Sequence, residues 1–226
     1  MNTHKYVYTI IDLITPVSVL LIFLSFMSCS NDPISTNNSN QSVVSSLDGY
    51  INGTVPDSII VKAVMAKEFV FFTAGEDTIS ENHIMNMTLS EPPQNVLWNL
   101  SSIFPGVGFI LSDNDVKGNY AFLDTYSIQT GFNNGLIFKA DTNEISFLQE
   151  GNFYMRYIYA DKGVSVSGSS FNINLTDTLK YNYNLNIGKG FNKFHVKAKT
   201  IRKNFKEYDF ISGEPSNSMW FFILFF

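Results

Sequence analysis

One cysteine, three histidines and a scatter of carboxylates and lysines are what this 226-residue chain offers to chemistry. Cys29 follows directly on the apolar run LLIFLSFMS, and no second cysteine exists to form a disulfide with it inside the chain. His4 belongs to the amino-terminal segment. His83 and His195 have no His or Cys neighbour at metal-ligand spacing, and the local sequence gives neither an orienting partner for catalysis. In SDNDVKG, Asp113, Asp115 and Gly118 copy the opening of a calcium loop. Lys117 takes the third ligand position and no glutamate closes the loop, so an Asx-rich turn is the better reading. GVGFIL and IGKGFN lack the spacing of a phosphate loop, and no Gly-x-Ser-x-Gly elbow is present. Neither metal nor cofactor is expected.

Lys193, His195, Lys197 and Lys199 alternate along one strand-like stretch and share its outward face, with Arg202, Lys203 and Lys206 following. Such a face suits an anionic glycan, lipid headgroups or an acidic partner. It equally suits a solvated strand that lysines protect from edge pairing. Tyr154, Tyr157 and Tyr159 offer rings for stacking on sugars, although an alternating strand buries most such rings as packing. A pair of carboxylates for glycan hydrolysis is a separate option, because their distance in space is not written in the sequence.

Composition narrows the field. Fifteen basic against twenty acidic side chains give a net charge of -5, the wrong sign for general nucleic-acid binding. With 45% hydrophobic residues the chain can bury a core, in one large unit or two small ones. Abundant Phe, Tyr and Asn with only 15% charged residues favour half-buried strands and Asn-bearing turns.

The elements that would position these groups are mostly strands. Ile59, Val61, Ala63 and Met65 alternate with Ile60, Lys62, Val64 and Ala66, apolar on nearly both faces, which predicts a central strand. Ser90-Glu91-Pro92-Pro93 is a helix-start signature, and Val96, Leu97, Leu100, Ile103 and Phe104 fall at helical spacing, predicting one short helix near 93–104. Beyond it, short strands recur at spacings that predict an all-β sandwich. YNYNLNI should place Tyr181, Tyr183, Leu185 and Ile187 inward and Asn182, Asn184 and Asn186 outward; FNKFHVKAKTI should turn Phe194, Val196 and Ala198 inward. The final MWFFILFF is apolar in both phases and is expected between layers. Trp220, Phe222, Leu224 and Phe226 also resemble the terminal strand of an outer-membrane barrel, an alternative that both-face apolar strands argue against.

The amino terminus resembles a bacterial lipoprotein signal peptide. Lys5 supplies positive charge, Leu13 to Met27 an apolar stretch, and Ser28 a small residue before Cys29. The resemblance implies cleavage after residue 28 and attachment of palmitate-type acyl chains at Cys29, hence a lipid anchor in a cell envelope. Residues 29–46 are polar and aperiodic and are expected as a flexible tether. The folded part then covers 47–226, divisible at 104 into 47–104 and 105–226 or continuous. Ser30, Asn31 and Asp32 are similar to an export signal for surface lipoproteins; either leaflet of the outer membrane fits.

Two further segments resemble patterns found in Bacteroidota lipoproteins with no assigned activity. One is YIYADKGVSVSGSS, through Tyr157, Tyr159, Asp161, Val164, Val166 and Gly168. The other is NIGKGFNKFHV, through Lys189, Gly190, Phe191, Asn192 and Lys193. INGTV and TLSEPP resemble transthyretin-like modules, and the sandwich is expected to be transthyretin-like or Ig-like. The same phylum glycosylates Asp-Ser/Thr-aliphatic triplets, which the resemblance places at Ser58, Thr78 and Thr178. The implied function is a lipid-anchored, non-catalytic binding or surface-assembly module with a glycan or protein partner. A carboxylate-dependent glycan hydrolase is the alternative.

Labelling with tritiated palmitate in a didermal bacterium tests the anchor. Label is expected on the wild-type chain and absent from Cys29→Ala; equal label on both contradicts the assignment.

Overall fold

The computed structural model describes residues 43–55, 58–127, 133–143, 149–173 and 177–224. The signal segment 1–28, Cys29 and the tether up to residue 42 lie outside them. Within the described residues the chain is all-β, 67% strand, arranged as an open mixed sheet of sandwich type. The strands are β1 (Val43–Val44), β2 (Ser46–Asn52), β3 (Ile59–Lys67), β4 (Val70–Ile79), β5 (Ile84–Thr88), β6 (Trp98–Asn99), β7 (Val107–Leu111) and β8 (Lys117–Ser127). They continue as β9 (Asn133–Ala140), β10 (Phe153–Ala160), β11 (Val164–Ile173), β12 (Thr178–Ile187), β13 (Gly190–Arg202), β14 (Phe205–Ser212) and β15 (Met219–Leu224).

The main path runs β5-β2-β15-β9-β8-β10-β13-β14-β12-β11-β7, with β3 and β4 branching from β8. Pairing is antiparallel except at β12–β14 and β2–β15. The path ends at β5 and β7 without closing, so the described strands do not form the barrel considered as an alternative.

The core has two parts on opposite faces of β8, β10 and β13. Odd-numbered residues of β10, Phe153 to Tyr159, pack with β2 to β5 and with Trp220 and Phe222 of β15. Even-numbered Ile158 and Ala160 pack with Phe194 and Val196 of β13, Phe210 of β14 and Tyr183, Leu185 and Ile187 of β12. Alternation places successive side chains on opposite faces, so β10 is apolar in both phases because both faces are covered. Both parts draw residues from either side of position 104, as a continuous body does.

Several expectations hold in detail. β3 has strand neighbours on both edges, with Ile59, Val61, Ala63 and Met65 buried. In β12 Tyr183, Leu185 and Ile187 are buried, while Asn184 is exposed and Asn182 and Asn186 are half-buried. Phe194, Val196 and Ala198 point inward as expected.

Three expectations need correction. The single helix near 93–104 is replaced by two 3₁₀ turns, Gln94–Val96 and Leu100–Ser102, separated by the two-residue β6. Pro93 gives no side-chain cap to the first turn, and Asn99 caps the second by accepting the Ser101 N–H, so the chain is re-cut before an α-helix can propagate. The end of the proposed tether is also structured: Val43 and Val44 pair with Asn192 and Phe191, and β2 starts at Ser46. Two β-branched residues meeting an open edge of β13 account for this. Finally, β15 is fully buried on one face only; Trp220 and Phe222 are buried, whereas Met219 is exposed, Ile223 is half-buried and the half-buried Phe221 stacks on Phe138 at a 5.7 Å centroid distance.

The motif residues have structural work. Asp161 exchanges two bonds with Lys117, its N–H donating to the Lys117 carbonyl and its Oδ1 accepting the Lys117 N–H, both at 2.9 Å. That ties the turn after β10 to the start of β8. Gly168, at φ 101°, sits where the β11–β7 register shifts. Asn192 is 2% exposed; its Oδ1 accepts the Gly188 N–H and its Nδ2 donates to the carbonyls of Gly188 and Gly190, each at 2.8 Å. This one side chain closes the turn between β12 and β13. Asn192→Ala would leave those backbone groups unmatched in the core, each worth about 1–3 kcal/mol. The urea midpoint is expected to fall by an equivalent of about 3 kcal/mol, read by tryptophan fluorescence; an unchanged midpoint would refute the staple.

Candidate functional site

Where β10 and β13 run past the cover of the first core, their odd-numbered face opens into a groove of about 670 Å³. Phe153 and Pro215 form its apolar part, and Asp141, His195, Lys197 and Asn217 its polar part. Cross-strand register explains the grouping, since Phe153 faces Lys197 and Met155 faces His195 across β10 and β13. The Phe153 and His195 rings meet edge to face at 5.6 Å. The turn after β14 supplies the far wall, Ser212 to Pro215.

His195 Nδ1 lies 3.1 Å from the Gly213 carbonyl, the geometry of a ring N–H donating to that oxygen. Burial pushes the imidazole pKa down, the Gly213 bond opposes this, and Lys197 adds to the depression. His195 is therefore neutral at pH 7, with Nε2 left as an acceptor. Lys197 is exposed and has no ion-pair partner among the described residues. The groove thus offers one ammonium and one neutral imidazole beside the edge of the buried Phe153.

Its two carboxylates are already engaged. Asp141 Oδ1 accepts the Phe153 N–H at 3.0 Å. Glu214 meets Lys139 at 2.5 Å and Lys193 at 2.8 Å, and accepts a hydrogen bond from the Ser218 hydroxyl. Burial alone would raise the Glu214 pKa; the two ammoniums and the hydroxyl outweigh it and hold the carboxyl at about 2. Glu214 also borders a second hollow of about 290 Å³ beneath Val43 to Asp48. There Tyr157 and Trp220 stack at 5.9 Å, and Lys139 Nζ sits 5.2 Å from the Trp220 ring centroid.

The four residues of the expected anionic-ligand face thus divide. Lys193 is committed to Glu214 and Lys199 to Glu207 at 3.2 Å, while His195 and Lys197 stay in the groove. Glu207 is a second anchored carboxylate: the Asn182 amide lowers its pKa most, burial opposes, and Lys180 and Lys199 bring it to about 2. Sequence alternation found the lysines. It could not find Glu214 and Glu207, which reach them through turns and strand register.

The other expected positions lie apart from the groove. Cys29 falls outside the described residues. Ser58 precedes β3 at φ 58°, and Thr78 is exposed on β4, one register step from the Ile59–Ile79 pair; Thr178 opens β12. Asp113 Oδ1 accepts the Asp115 N–H at 2.9 Å, the Asx turn anticipated for SDNDVKG. Of the tyrosines, Tyr157 and Tyr159 are buried and Tyr154 is half-buried. His83 stacks on Tyr50 at 5.7 Å.

A carboxyl held at about 2 in the folded protein and near 4.5 in the unfolded chain contributes stability above pH 4.5 and loses it as pH falls toward 2. Glu214→Gln should therefore melt below wild type at pH 7, and its melting temperature should fall less steeply between pH 5 and 2. Parallel pH profiles would contradict the Glu214 anchor. Comparisons with protein-family models, curated proteins and solved structures give no match for the chain.

Proposed function

We propose that the chain is a lipid-anchored, non-catalytic binding module of a bacterial cell envelope, held at the outer membrane through Cys29, with the groove around His195 and Lys197 as its seat for a glycan or protein partner. The observation that carries this reading is the saturation of the groove's carboxylates. Glycan hydrolysis needs one carboxyl with a raised pKa to donate a proton and a second poised as nucleophile or base. Glu214 is held at about 2 between two lysines, and Asp141 is tied to backbone. Glu214 is therefore not set up to give up or take a proton near neutral pH.

What the groove offers is recognition. Phe153 gives a ring edge beside His195, and Lys197 gives a charge able to pair with an acidic group. The lipid anchor and the envelope address rest on the signal-like segment and Cys29.

Full-length protein in detergent, screened on a glycan array with reducing ends assayed in parallel, tests the proposal. A retained ligand is expected to bind about 10-fold more weakly to Lys197→Ala, the worth of one charge-assisted contact, and to be recovered intact. New reducing ends from any glycan would overturn the non-catalytic reading, and unchanged binding by Lys197→Ala would remove the groove as the seat.

A further inference from the structure

The opposite face of the same strands carries a different arrangement. Arg156 lies on the even-numbered face of β10, opposite Phe194 in the β13 register and away from His195. Its guanidinium carbon is 5.1 Å from the Tyr154 ring centroid, 5.8 Å from Phe122 and 5.9 Å from Tyr120. No carboxylate lies within ion-pair distance among the described residues; the guanidinium is hydrogen-bonded to the Tyr154 hydroxyl, and the Tyr120 phenol is also near it. The side chain is half-buried. A guanidinium has five N–H donors in a planar fork, and ring faces compensate its charge without using that fork.

Arg156 thus has ring faces and a phenol hydroxyl for partners and no carboxylate, which leaves N–H donors of its fork for a ligand. Half-buried phenols extend from it across the sheet. Tyr208 of β14 and Tyr181 of β12 stack at 6.1 Å with 20° between their planes, directly opposite one another in register. Tyr154 is close enough to raise the pKa of both. Tyrosine faces stack on sugar rings while their hydroxyls bond to sugar hydroxyls, and an arginine fork matches a carboxylate bidentately.

We infer that Arg156, Tyr154, Tyr208 and Tyr181 form a second binding site, for a sugar chain that carries a carboxylate. The Arg156 fork takes the carboxylate, and the tyrosines take the adjoining rings. This site is separate from the groove and does not depend on it.

Titration of the full chain with trigalacturonate, followed by calorimetry, tests the inference, with galactotriose and sodium sulfate as the other two arms. Trigalacturonate is expected to bind at least tenfold more tightly than either. Arg156→Met should lose tenfold or more; it also gives up three ring contacts and the Tyr154 hydrogen bond, so its circular dichroism and melting are recorded beside its affinity. Arg156→Lys keeps the charge but not the fork, and should lose several-fold with unchanged circular dichroism; this variant decides the matter if Arg156→Met does not fold. Lys197→Ala, titrated alongside, separates binding in the groove from binding at Arg156.

No binding by wild type, equal binding of galactotriose, or unchanged affinity in Arg156→Lys would each overturn the site. Sulfate binding as tightly as trigalacturonate would overturn the sugar platform. Loss of binding in Lys197→Ala instead would place the ligand in the groove.

Discussion

Among the described residues the sheet is built around a strand that feeds both core parts, buried along its whole odd-numbered face and at Ile158 and Ala160 on the other. β10, FYMRYIYA, contributes Phe153, Met155, Tyr157 and Tyr159 to one core part and Ile158 and Ala160 to the other. Full burial of a large apolar side chain is worth roughly 1.5–3 kcal/mol, so few other eight-residue segments of the sheet hold as much. The same position imposes a condition: each polar group carried inside must find a partner. Tyr159 donates its hydroxyl to Glu91 at 2.5 Å. On the flanking strands, Asn119 donates to the carbonyls of Ala66 and Val96 and accepts the Tyr120 N–H, and Thr125 donates to the Gly135 carbonyl at 2.6 Å. Gly118, where β8 passes β10, leaves no room for more; a Cβ there would stand 2.4 Å from the Tyr159 carbonyl oxygen.

The functional surfaces are what remains when this wall extends past its cover. Alternation continues beyond the core, so residues in phase with the buried set come to line a groove on one face and an aromatic shelf on the other. The charges there are mostly fixed. Glu214 gathers Lys139 and Lys193, and Glu207 gathers Lys180 and Lys199, which keeps carboxylates ionised and lysines in place. Such an arrangement holds both partners of each ion pair in their charged forms.

Face assignments were legible in the sequence because they depend on a local period of two. YNYNLNI and FNKFHVKAK read correctly for that reason, as did the two-sided β3. What was not legible depends on partners distant in the chain. The apolar spacing of Val96 to Phe104 mimics a helix, yet β6 pairs Trp98 and Asn99 with Gly118 and Lys117 and holds the backbone extended between two 3₁₀ turns. Val43 and Val44 look like the end of a polar tether until the edge of β13 is seen beside them. MWFFILFF looks two-sided, but the first core buries only its Trp220 and Phe222 face, while on the other face Met219 is exposed and Phe221 and Ile223 are half-buried. Nothing local marks Arg156, because a single arginine in an aromatic strand reads as a solvated residue; its neighbours Tyr120 and Phe122 come from β8, far off in the chain.

The claim on which the account rests is that one sheet, joined through β10, makes both core parts a single cooperative body. Hydrogen–deuterium exchange of the full chain under increasing denaturant measures this directly. The slowest amides of β3 and β8, of β10, and of β12 and β14 are expected to converge on one opening free energy with one denaturant dependence. Two separate isotherms, one for the β2 to β5 side and another for the β11 to β14 side, with β10 following only one of them, would contradict it.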